Sequence, residues 1–179
     1  MVLIGCKPTG RHTEQHDIFF GIAQEIKELI PAFKAFWPEA KGVMHVDGWR
    51  EVTQVNGQDI KIIPKEERKD TATHQLYFVN LGGYKEGEFE EFHYKMVVAA
   101  PDKSTAISIS KQTAFFKHTH FKDAKAHIDD KYGIDIDDMY TIEEILPATF
   151  KEKYAIELSE ATHEIIDDVH LGYFKLNAL

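Results

Sequence analysis

Cysteine is almost missing from this chain: Cys6 is the single one in 179 residues. No intrachain disulfide can form, and no cysteine-cluster metal site can be built. Positive charge is also short, with 21 lysines and arginines against 30 aspartates and glutamates and a formal net charge of −9. A chain this acidic lacks the field that draws nucleic acids and anionic membranes, so neither is expected as a partner. No apolar run approaches the length that spans a bilayer, and Met1-Val2-Leu3-Ile4-Gly5 is too short for a secretory signal core. A soluble, cytoplasmic protein is the expectation.

Familiar chemical motifs are missing as well. The G-x4-G spacing of Gly5 and Gly10 lacks the Lys-Ser/Thr of a phosphate loop and leads toward a strand. There is no G-x-S-x-G elbow, and Cys6 has no evident activating partner. Asp135-Ile136-Asp137-Asp138-Met139-Tyr140 fails as a calcium loop, because Met139 holds a ligand position and Tyr140 the sharp-turn glycine. It reads as a charged surface strand.

What is present is enough apolar residue, 43%, for a real core, and an internal repeat. Gly5, Gly10, Glu14 and His16 stand in step with Gly82, Gly87, Glu91 and His93, each pair 77 residues apart. Both stretches read G-x4-G-x3-E-x-H and run into apolar residues, Ile18-Phe19-Phe20 and Met96-Val97-Val98. Further on, His45-Val46-Asp47 aligns with His127-Ile128-Asp129, after an insertion in the second copy near His118-Thr119-His120. Each copy closes on a similar run, Ile62-Ile63-Pro64 and Ile145-Leu146-Pro147. The expected division is a first repeat over 1–64, a charged linker over 65–75 and a second repeat over 76–147. Residues 148–179 then form an extension whose strand near His170-Leu171-Gly172-Tyr173-Phe174 completes the second repeat.

Local patterns suggest the elements. Val2-Leu3-Ile4 and Leu76-Tyr77-Phe78-Val79 read as strands ending at glycine turns, with returning strands over 14–21 and 90–99. Ile26, Leu29, Ile30, Phe33, Phe36 and Trp37 share a helical face that Pro31 either kinks or opens. Asp102 is the predicted N-cap of a helix reaching about Phe116. Residues 50–62 read as a hairpin turning at Asn56-Gly57. The fold class expected is α+β, a tandem duplication of a ββαββ-like unit with mainly antiparallel sheet and pseudo-twofold symmetry.

The candidate site residues come from the repeat. Glu14 with His16, and Glu91 with His93, stand two apart on strands, so each carboxylate and imidazole share a face. His45 with Asp47, and His127 with Asp129, have the same spacing. If the two pairs of a copy meet, two histidines and two carboxylates gather, a donor set suited to zinc or a similar divalent ion. The structural alternative has Glu and His bonding the backbone of the glycine turn. His118 and His120 read as a loop or as extra ligands, and Phe36, Trp37 and Trp49 as core aromatics.

Leu81-Gly82-Gly83, the Glu-x-His after it, the apolar run and the later His-Val/Ile-Asp together resemble a small bacterial family catalogued as domain of unknown function 1543. The resemblance covers about residues 1–64 and 76–147, as in a two-copy member, with Cys6 standing where the pattern has its second glycine. It implies the repeat and a bacterial cytoplasmic setting, and no activity, substrate or cofactor. The functional expectation is a non-enzymatic module for partner binding or self-association, for example as a homodimer. The alternative is a metal-binding protein or metal-dependent hydrolase with one Glu/His/His/Asp cluster per repeat.

Overall fold

The computed structural model describes residues 1–69, 73–84, 88–117 and 134–179. In chain order the strands and α-helices are β1 Val2–Cys6, β2 Gln15–Phe19, α1 Ile30–Phe36, β3 His45–Trp49, β4 Gln54–Val55 and β5 Gln58–Pro64. There follow β6 Gln75–Tyr84, β7 Glu91–Ala100, α2 Lys103–Lys117, β8 Ile134–Thr141, α3 Ile142–Ile145, α4 Ala148–Lys151, β9 Tyr154–Glu160 and β10 His170–Lys175. The fold is mixed α and β, and every pairing among the described residues is antiparallel.

The chain divides into two compact units, 1–68 with 145–179, and 69–144. Unit one holds a four-stranded sheet in the order β10-β3-β1-β2 and a three-stranded sheet in the order β4-β5-β9. Strand alternation sends Val2, Ile4 and Cys6 to one face of β1, where they pack with Phe19, Phe33, Met44 and Val46. Phe19 meets Phe33 edge-on, with ring centroids 5.0 Å apart. The opposite face of the same strand carries Gly5. Pro31 sits in the first turn of α1, where its missing N–H leaves no hydrogen bond unmade. Ile26–Leu29 precede it as a 3-10 turn, so the helix opens at the proline rather than kinking there. The hairpin forms between β4 and β5, with Asn56 at φ 49° and Gly57 at φ 74°, the left-handed pair that fits strand twist.

Two expectations are corrected in unit one. The tail strand does not complete the second repeat: β10 pairs with β3, and β9 pairs with β5 along its whole length. Phe174, Leu176 and Leu179 lie against the core of unit one, which is where the tail finds apolar surface to cover. Nor does β1 end in a turn at Gly5, because the strand continues through Cys6.

Unit two is a three-stranded sheet, β7-β6-β8, with α2 packed on it. Tyr77, Val79, Leu81, Met96, Val98, Ala100 and Ala106 form its core. Asp102 caps α2 as its sequence suggested: its carboxylate accepts from the Thr105 N–H at 2.7 Å. Gly82 and Gly83 again lie inside a strand, β6, which runs on to Tyr84. The segment 134–141 is the strand expected of it, β8.

Candidate metal centre

Gly5 is the middle of the site. In the antiparallel register it stands opposite His16 of β2 on one side and His45 of β3 on the other. Residues directly opposite share a face, so both imidazoles rise on the side away from the core. A side chain at Gly5 would collide with them. A Cβ there would lie 2.4 Å from His45 Nε2 and 2.4 Å from Asp47 Oδ2. The glycine is required by close approach, with no left-handed φ involved.

Asp47 reaches the cluster through a bulge. Leu3 pairs with Gly48 and Ile4 with Val46, so Asp47 is an extra residue with no partner on β1. A bulge of this kind re-aims a side chain without ending the strand. Glu14 enters from the position before β2, two residues ahead of His16 and on the same face.

The four side chains close a ring. His45 Nε2 lies 3.1 Å from Asp47 Oδ1 and 3.2 Å from Glu14 Oε1. His16 Nε2 lies 3.2 Å from Asp47 Oδ2 and 3.8 Å from Glu14 Oε2. The His45 side chain is 5% exposed, against 23% for Asp47, 40% for His16 and 43% for Glu14. The ring therefore has a buried floor and an open rim. Despite these distances, His45 Nε2 and Asp47 Oδ2 are buried and make no hydrogen bond among the described residues. Their separations satisfy ion pairing, while their angles do not satisfy hydrogen bonding.

That combination fits a cation. An unprotonated imidazole nitrogen and every carboxylate oxygen are acceptors, and acceptors brought together without a donor repel. Donors at tetrahedral distances of about 2.0–2.2 Å from an ion lie about 3.3–3.6 Å from one another, near the 3.1 and 3.2 Å separations here. Glu14, His16 and His45 each offer one ligand atom within 4.8 Å of the others, and Asp47 oxygens lie 3.1 Å from His45 Nε2 and 3.2 Å from His16 Nε2. Two carboxylates balance the charge of one divalent ion.

A further residue touches the site and carried no signal in the repeat. The Tyr173 ring of β10 lies over His45, with centroids 4.1 Å apart and planes inclined by 30°. At the other end of the same pairing, His170 stacks on Trp49 at 3.9 Å, and Trp49 packs part-buried against the core of unit one. Cys6, beside Gly5 but on the core face, takes no part. Burial pushes its thiol up, and the Glu14 and Glu39 carboxylates add to the shift, so it is a poor thiolate.

The other candidates fare differently. Glu91 and His93 stay together on β7, with His93 Nε2 3.9 Å from Glu91 Oε2. His127 and Asp129, like His118 and His120, lie outside the described residues. Gly5 and Gly82 lie within strands, and in unit one the turn ahead of Glu14 falls at Thr9-Gly10, with Gly10 at φ 84°.

Comparison with known proteins is consistent with this picture and adds no chemistry. The chain is similar over 98% of its length to the crystal structure of a protein Il1583 from Idiomarina loihiensis, of which it covers 94%. The TM-score is 0.62 and the identity 20%, which speaks for the fold alone. No curated protein matches the chain. Among the described residues, no helix is long and apolar enough to cross a membrane. The model of one family, described as Domain of Unknown Function (DUF1543), matches residues 11–62, the stretch that carries Glu14, His16, His45 and Asp47.

Proposed function

We propose that this protein binds a divalent transition metal in unit one through Glu14, His16, His45 and Asp47. The observation that carries the reading is His45 Nε2: buried, without a hydrogen bond, and within 3.2 Å of two different carboxylates. Two imidazoles with two carboxylates favour zinc, iron or manganese over calcium, which takes oxygen ligands alone. The open rim at Glu14 and His16 leaves room for a water or an exogenous ligand on the ion. We read the two units as diverged copies of one ancestor, each with a glycine where the central strand meets a Glu-x-His strand.

The test is elemental analysis of untagged protein purified without chelator. One equivalent of metal is expected in the wild type and none at this site in His16→Ala/His45→Ala, with the variant still folded. An unloaded wild type that also fails to take up zinc, manganese or iron on dialysis would remove the reading.

Self-association is the second reading, favoured by apolar side chains exposed along the tail. Ile166, Val169, Leu171 and Tyr173 are 85%, 59%, 75% and 65% exposed. Light scattering behind a sizing column separates the two: a stable dimer that dissociates in Leu171→Lys would support association.

A further inference from the structure

Two aromatic stacks tie the tail strand β10 to β3, and one of them sits on a residue of the metal centre. His170 lies on Trp49 with centroids 3.9 Å apart, and Tyr173 lies on His45 at 4.1 Å. Trp49 offers no ligand atom, whereas His45 aims Nε2 at the carboxylates of Glu14 and Asp47.

Strand register delivers Tyr173 to that place. Leu171 pairs with Gly48 and Phe174 with Val46, so Gly172 and Tyr173 both pass opposite Asp47. On the other side of β3, β1 passes Asp47 with no residue, since Leu3 pairs with Gly48 and Ile4 with Val46. Such an irregularity re-aims side chains while the strand continues. Phe174 packs against the core, and Tyr173, one residue earlier, falls on the opposite face, where His45 stands.

Core packing does not account for the tyrosine. Tyr173 is 65% exposed, while the side chain of His45 beneath it is 5% exposed. The second torsion of a histidine has broad wells, so its neighbours decide where the ring plane lies. Rotation about that torsion would swing Nε2 away from the two carboxylates, and a ring laid on the imidazole face opposes it. A ligating imidazole is ordinarily held in plane by a hydrogen bond from its other nitrogen, and a packed aromatic face can do the same work.

We propose that Tyr173 is a positioning residue of the metal centre, its ring fixing the His45 imidazole so that Nε2 stays aimed between Glu14 and Asp47. The role rests on the reading of unit one as a metal centre. The ring face acts, Tyr173 coordinates nothing, and its hydroxyl is dispensable. By linkage the effect is reciprocal: an ion that fixes His45 also fixes Tyr173 and the strand that carries it.

The experiment uses the full chain, stripped with chelator and titrated with Co2+, whose visible absorption reports ligand geometry. Tyr173→Leu is expected to weaken cobalt by roughly 10–100-fold and to shift its visible bands. Tyr173→Phe should match the wild type in both readouts. His170→Ala, which removes the other stack from the same strand, should leave both unaltered. Hydrogen exchange on the wild type needs no variant: loading should slow the amides of β10 and leave those of β9 unchanged. Cobalt binding unaltered in Tyr173→Leu, weakened equally in His170→Ala, or lost in Tyr173→Phe would overturn the assignment. So would β10 amides that ignore the metal, and this measurement decides if Tyr173→Leu fails to fold by circular dichroism. A wild type that binds cobalt with Tyr173→Leu unchanged loses the positioning role and keeps the centre. A wild type that takes up no cobalt loses both.

Discussion

Gly5 carries more of the site than any charged residue does. It contributes no ligand, yet its missing Cβ is the space into which His45 Nε2 and Asp47 Oδ2 converge, each 2.4 Å from where that atom would be. Gly5→Ala must therefore spread the donors, since β1 is hydrogen-bonded on both sides and cannot retreat. Metal affinity is expected to fall by roughly 10–100-fold, read by competition with a chromogenic chelator. Unchanged affinity in Gly5→Ala would mean that the metal sits elsewhere. The Glu-x-His and His-x-Asp spacings were legible in the sequence because strand alternation puts such pairs on one face. The purpose of the glycine was not. A glycine between apolar and polar residues reads as a turn, and only the register with β2 and β3 shows it as a gap for side chains. Tyr173 was hidden for a similar reason. Its contact with His45 spans most of the chain, and nothing local announces it.

Elements governed by local chemistry came through the sequence well. Pro31 opens α1, Asn56-Gly57 turns the hairpin, and Asp102 caps α2, because each depends on a few neighbouring dihedrals or one short hydrogen bond. The Thr105 amide holds the Asp102 carboxyl below its usual range. Its contribution to α2 is accordingly present above the unfolded carboxyl value, about 3.9, and is lost as pH falls through the lower folded value. Asp102→Ala is expected to lower the melting temperature of the chain at pH 7. The gap between variant and wild type should close in strong acid, where both lack a charged cap. A gap that widens on acidification would show that the charge is not what the cap contributes. Long-range pairings were harder to read. His170-Leu171-Gly172-Tyr173-Phe174 resembles the start of β6, and likeness suggested a role in the second repeat, but β3 offered the edge that the tail joins.

Across the whole molecule, the division of the chain follows packing, with residues 1–68 and 145–179 in one unit and 69–144 in the other. Residues 145–179 return to unit one, add a strand to each of its sheets, and tie down its loops. Asp167 accepts from the Thr53 N–H at 3.0 Å, and Gln54 accepts from the Ile165 N–H at 3.1 Å. Removing 170–179 strips Phe174 and Leu176 from the core and Tyr173 from His45. The truncated chain is expected to melt earlier and to bind zinc more weakly, with unit two retaining its hydrogen-exchange protection. Equal loss of protection in both units would contradict the tail's place in unit one. Glu14, His16, His45 and Asp47 are proposed to form one metal centre. X-ray absorption at the zinc edge, on the full chain carrying one equivalent of zinc, tests it most directly. Two imidazole shells with nitrogen at about 2.0–2.1 Å and oxygens at about 2.0–2.2 Å are expected, with the imidazole scattering reduced to one ring in His45→Ala. An all-oxygen shell without imidazole, or a spectrum that His45→Ala leaves unchanged, would contradict the account.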